Sequence, residues 1–154
     1  MSHQRKTKII TYIIFILASF FTITVANAAG IKNNHQELTI KVDARGCVSS
    51  VELASQDDNC AGSDFANNCG KNGKDCVCMQ SSKFVSWMID ADTRFELKFI
   101  GDMPFKPNCE VKSGNNKKIQ CKIDAPDGDY EYDVIAESCP DEVYDPKIII
   151  RTSN

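Results

Sequence analysis

The chain has 154 residues, 42% of them hydrophobic, with 18 basic against 21 acidic side chains, two histidines and eight cysteines. That acidic balance argues against nucleic acid and anionic membrane surfaces as partners, since both attract a basic face. The shortage of histidine leaves little scope for histidine-based acid–base catalysis or metal binding.

Arg5, Lys6 and Lys8 form a positive start with no acidic residue nearby. An apolar stretch runs from Ile9 to Val25, interrupted by Thr11, Ser19, Thr22 and Thr24. Ala26 and Ala28 then supply the small residues of an A-x-A cleavage site. Residues 1–28 therefore read as a signal peptide cut after Ala28. The alternative is an uncleaved anchor, because the apolar stretch approaches the ~18 residues of a membrane-spanning candidate. Cleavage would leave 126 residues (154 less 28), enough for one domain. It would also remove Arg5, Lys6, Lys8 and His3, leaving 15 basic against 21 acidic residues, a net charge of −6, and His35 as the sole histidine.

After a loose N-terminus over 29–36, the segment Glu37 to Ala44 alternates. Leu38, Ile40, Val42 and Ala44 share one face, the signature of a half-buried strand. Gly46 ends it, and Cys47 to Leu53 reads as a second strand. Residues 55–82 are rich in Ser, Asn, Asp and Gly, carry Cys60, Cys69, Cys76 and Cys78, and show no period. An irregular loop stapled by disulfides is expected there. Lys83 to Asp90 follows as a strand with Val85, Trp87 and Ile89 on one face. Thr93 to Ile100 is another, with Phe95, Leu97 and Phe99 inward. Pro104 and Pro107 exclude a central strand around Phe105. Cys109 to Val111 and Lys118 to Ile123 flank Ser113-Gly114-Asn115-Asn116 and read as a hairpin. Ile119, Cys121 and Ile123 share a face. Pro126-Asp127-Gly128 is a turn. Tyr130, Tyr132, Val134 and Ala136 alternate after it, and Lys147 to Arg151 closes the chain as an Ile-rich strand. The expected fold is an all-β, antiparallel β-sandwich of seven or eight strands over 37–154, with the Cys-rich loop 55–82 attached.

Asp127-Gly128-Asp129-Tyr130-Glu131-Tyr132 resembles the turn-then-tyrosine start of the F strand in immunoglobulin-like sandwiches, where a tyrosine bonds back to the preceding corner. Trp87 sits where such folds often carry a core tryptophan. The ending Tyr144-Asp145-Pro146-Lys147-Ile148-Ile149-Ile150 is similar to those of small exported bacterial domains of immunoglobulin-like or cupredoxin-like type. The resemblance covers about 83–151 and implies a fold, not an activity. The chain departs from both types. Tyr132 stands where the immunoglobulin pattern has a cysteine. The two histidines and one cysteine of a copper site are missing, which argues against copper electron transfer.

An even cysteine count in an exported chain argues for disulfides, and Cys47, Cys60, Cys69, Cys76, Cys78, Cys109, Cys121 and Cys139 are all expected to pair. Spacing alone leaves 105 connectivities open. Cys109 to Cys121 is the one pairing that the proposed hairpin favours, as cross-strand neighbours. The four loop cysteines are expected to staple the loop internally or to Cys47, and Cys139 to reach something distant. Zinc binding by Cys60, Cys69, Cys76 and Cys78 is the alternative, although their spacing is not a C-x2-C pair.

From Asp124 to Asp145 there are nine acidic residues and no basic one. Three readings stand: a solvated outer face, a Ca2+ site, or a surface for a basic partner. Asp57-x-Asn59-x-Ala61-Gly62 fails the EF-hand template. No G-x-S-x-G occurs, and no catalytic residue, cofactor or metal ligand is assigned. Phe84 and Phe105 break the inward phase of the other aromatics, and could be surface anchors or lids over the core. The expected function is non-enzymatic binding of a protein partner, without nucleic acid or membrane, in the periplasm or outside the cell. The Cys-rich loop is the expected contact. A secreted effector or enzyme inhibitor acting through that loop, and a small carboxylate-dependent hydrolase, are the alternatives.

Overall fold

The structure, a computed structural model, describes residues 35–54, 60 and 75–151. Eight strands are found there: β1 (Gln36–Val42), β2 (Val48–Leu53), β3 (Cys76–Met79), β4 (Phe84–Ile89), β5 (Phe95–Phe99), β6 (Lys118–Lys122), β7 (Gly128–Ala136) and β8 (Lys147–Ile150). They form two four-stranded sheets, ordered β2-β1-β4-β6 and β3-β8-β7-β5. The all-β sandwich read from the sequence is therefore the fold. Two pairs, β1–β4 and β3–β8, run parallel within otherwise antiparallel sheets.

Alternation decides the inner faces. Leu38, Ile40, Val51, Val85, Trp87 and Ile119 of the first sheet meet Val77, Met79, Leu97, Tyr132, Val134, Ile148 and Ile150 of the second in one core. Four aromatic rings close on each other at its heart. Trp87 meets Phe105 and Tyr132 edge-on at 5.7 and 5.8 Å, and Phe99 meets Phe105 and Tyr132 at 5.1 and 5.3 Å. These are the spacings at which aromatic pairs attract beyond simple burial. The Trp87 indole N–H donates to the Tyr132 hydroxyl at 2.9 Å, and both side chains are fully buried. Phe105 is buried too, so of the two roles open to it, it takes the lid over the core.

Three features differ from the sequence reading. First, Cys76–Met79 is a strand, not irregular loop, and all four residues are buried. A strand covered on both faces shows no period of two, so its apolar run blends into the polar segment around it. Second, the hairpin expected between Cys109–Val111 and Lys118–Ile123 does not form. Leu97 donates to the Val111 carbonyl and Ser113 to that of Phe95, which binds 111–113 to β5, while β6 pairs with β4. The chain thus changes sheets at the Gly114–Asn116 turn. Third, β1 ends at Val42, so Ala44 leaves the inner face and is exposed in the β1–β2 turn. In that turn the Asp43 carboxylate accepts from the N–H groups of Arg45 and Cys47 at 2.9 and 3.0 Å. Those bonds, led by the one from Cys47, hold the Asp43 carboxyl below its ordinary pKa. Gly46 follows at φ +83°, where a side chain would be strained and would meet Ser138.

Candidate functional site

Disulfides bind the sandwich at separate places. Cys47–Cys139 joins the β1–β2 turn to the loop after β7, with Cα atoms 4.9 Å apart across 92 residues of sequence. Ser138 reinforces this clamp by donating to the Gly46 carbonyl at 2.6 Å. Cys109–Cys121 also forms, with Cα atoms 5.4 Å apart. Its hairpin rationale fails, because Cys109 leads into the segment beside β5 whereas Cys121 belongs to β6. Cys60–Cys78 lies within the Cys-rich segment, and Cys76 is disulfide-bonded as well. Such bonds persist in oxidising compartments, so the domain belongs to an extracellular or periplasmic type of environment.

Most of the expected contact loop, 55–59 and 61–74, lies outside the described residues, as do Cys69 and the signal segment 1–28. Its anchorage is visible. Cys76 and Cys78 point away from the main core and form a second buried cluster with Cys60 and Ile149. Register explains it. Cys78 lies beside Ile149 and Val77 beside Ile148, so alternate residues of β3 and β8 line opposite faces of the sheet. Cys60 covers the outer one.

Asp75, directly before β3, was not singled out by sequence reasoning. It adopts a left-handed φ of 67°, which Asp tolerates better than most residues. Its carboxylate accepts from the Val51 N–H at 3.1 Å and its carbonyl from Lys147 at 2.9 Å. The Tyr144 hydroxyl also bonds its carboxylate, and burial together with that bond raises the Tyr144 pKa. Asp75 thus fastens the β2 edge of one sheet to the β3–β8 edge of the other.

The acidic run does not converge. The fold brings in cations from elsewhere: Arg151 to Asp129 at 2.7 Å, Lys147 to Glu131 at 3.3 Å, Arg94 to Glu137 at 2.6 Å, and Arg45 to Glu142 at 2.7 Å. The Arg94 pair is bidentate, and it holds the Glu137 carboxyl below the usual range. Among the described residues, the candidate ligand atoms lying within 4.8 Å of one another are those of Cys47, Cys139 and Glu142. The two sulfurs are joined in a disulfide and offer no thiolate.

A concavity of about 380 Å³ lies on the outer side of β5 and β7. Its carboxylates are matched with cations, Glu137 with Arg94 and Glu96 with Lys112 at 3.1 Å. Its hydroxyl, Ser113 Oγ, accepts the Phe95 N–H at 2.9 Å. His35 is on the other sheet, where its Nδ1 accepts the Phe84 N–H at 3.0 Å. Phe84 is itself exposed and packs against that imidazole, ring centroids 5.1 Å apart. The expected back-bond of the Tyr130 hydroxyl is present, to the Pro126 carbonyl at 3.0 Å.

Compared with known proteins, the chain matches no family and no curated protein.

Proposed function

We propose that this chain is an exported, non-enzymatic binding domain that works in the periplasm or outside the cell and holds a protein partner through its Cys-rich segment. The observation that carries the reading is the Cys60 cluster. Cys60, bonded to Cys78, is buried against Cys76, Cys78 and Ile149, so the polar, glycine- and asparagine-rich sequence 61–74 is tied at both ends, at Cys60 and at Asp75 before β3. A loop fixed to a rigid sandwich is a common recognition device. The pairing of both carboxylates in the outer concavity speaks for binding over carboxylate-pair hydrolysis, which needs one acid kept protonated and another free. The Tyr130–Pro126 bond and the buried Trp87 support an immunoglobulin-like type of sandwich.

Two experiments test this. Mass spectrometry of the exported protein should find Ala29 as the first residue; a membrane-bound product that retains residues 1–28 supports the anchor instead. For the partner, residues 61–68 are replaced by a Gly-Ser repeat, which keeps every cysteine. Immobilised wild type should retain a partner from periplasm or culture medium, and the variant should lose it. Equal capture by both, or hydrolytic turnover by the purified domain, would refute the reading.

A further inference from the structure

The outer face of the β2-β1-β4-β6 sheet lies on the opposite side of the sandwich from the Cys60 cluster. Register places Phe84 beside Lys122, Ser86 beside Gln120 and Met88 beside Lys118. These side chains point outward, since Val85, Trp87 and Ile89 fill the core. β4 is an interior strand, yet Phe84 and Met88 are 36% and 52% exposed on it. The two lie four residues apart, about 13 Å along the strand.

A second row of strand-like backbone flanks β6. Phe105 bridges Ile123, and Lys106 donates to the Lys122 carbonyl at 3.4 Å. Lys106 is therefore the cross-strand neighbour of Lys122 on this same outer face. Like charges directly opposite one another are destabilising. Other lysines of the face are neutralised, Lys41 by Asp90 at 2.6 Å and Lys118 by Glu37 at 3.7 Å. Among the described residues Lys106 and Lys122 have no ion pair, and Asp124, further along the same face, pairs with neither. One row across the sheet thus reads imidazole, aromatic ring, cation, cation: His35, Phe84, Lys122, Lys106.

We infer that this face docks an acidic polypeptide segment, with Lys122 and Lys106 receiving its carboxylates and Phe84 with Met88 receiving its apolar side chains. A carboxylate at the lysine pair relieves the repulsion between them, and the neighbouring ring supplies apolar area. The spacing of Phe84 and Met88 suits an extended chain that presents side chains at intervals. A membrane plane would face the whole domain, whose net charge of −6 without residues 1–28 opposes it, whereas a segment meets mainly the local pair. This inference does not depend on the Cys-rich loop.

The probe is a short synthetic peptide alternating Glu and Asp with Leu and Tyr, titrated into the isotope-labelled exported domain and followed by amide chemical shifts. Shifts are expected at Phe84, Met88, Lys106 and Lys122, and they should weaken with added salt. The analogue with Gln and Asn in place of the acids, and the Lys106→Glu/Lys122→Glu variant, should each bind about tenfold more weakly. The variant should keep its thermal midpoint, because both side chains face solvent. Phe84→Ser should also weaken binding, and replacement of 61–68 should not. Shifts confined to other faces would overturn the inference. So would equal binding of the neutral analogue, binding to phosphatidylglycerol vesicles but not to the peptide, or self-association through this face without peptide.

Discussion

Tyr132→Phe removes one oxygen atom from the centre of the core. Its ring would still stack on Phe99 and meet Trp87 edge-on, so packing is nearly unchanged. What is lost is the acceptor for the Trp87 indole N–H, whose side chain is fully buried. A buried donor stranded in this way costs ~1–3 kcal/mol. For a domain of this size that corresponds to a fall of about 5–10 °C in Tm. Trp87 is the sole tryptophan, so urea titration followed by its fluorescence reports the transition directly. The same variant has a pH signature. Burial raises the Tyr132 hydroxyl pKa far above its ordinary value. The folded state keeps this proton after the unfolded chain has released it. Stability from this group is therefore intact below about pH 10 and lost as the pH climbs toward the folded value, at ~1.4 kcal/mol per pH unit. Tyr132→Phe should be less stable than wild type at pH 8 and show a shallower decline above pH 10. A variant within about 0.5 kcal/mol of wild type at pH 8, the range of ordinary surface changes, would refute the reasoning.

Other outcomes follow from the same structure. Removing Cys47–Cys139, which closes 92 residues, should cost ~4–5 kcal/mol, against ~3 kcal/mol for Cys109–Cys121, which closes 12; paired Cys→Ser variants in urea give the ranking. Peptide mapping without reductant should recover Cys47–Cys139, Cys60–Cys78 and Cys109–Cys121. Asp75→Ala should cost ~1–3 kcal/mol by stranding the Val51 N–H, as measured by thermal melting. Phe105→Ala should cost ~3–5 kcal/mol, because its ring covers both Trp87 and Phe99.

The legible parts of the sequence were those where one face is wet. β1, β5 and β7 carry a clean period of two, and the residues expected inward at Leu38, Ile40, Phe95, Leu97, Tyr132 and Val134 are buried. β3 was missed because the Cys60 cluster covers its second face, which erases the period. The hairpin was misread because turn residues mark a reversal without saying which sheet receives the next strand. Cys109–Cys121 was paired correctly on a mistaken geometry, since a connecting segment that passes beside β6 also brings Cys109 to Cys121 without a hairpin. The acidic run looked uncompensated because its partners Arg45, Arg94, Lys147 and Arg151 lie outside it in sequence. Asp75 and the Lys106–Lys122 pair had no local signal, as each acts through contacts set only by the tertiary fold. Met88 did have one, sharing the outward phase with Phe84.

The final strand, β8, is not at the margin of its sheet but between β3 and β7. A chain that crosses a membrane N-terminus first would deliver β3, β5 and β7 well before the strand that unites them. Until Ile150 has emerged, β3 and β7 would wait with open backbone edges, and the inner and outer faces of their sheet would lack Ile148, Ile149 and Ile150. Premature termination before Lys147 would therefore remove the keystone of half the sandwich, while leaving in place both cysteines of the Cys60–Cys78 bond, which closes 18 residues. Loss of β8 should thus appear as proteolysis of the chain rather than as a shortened native domain.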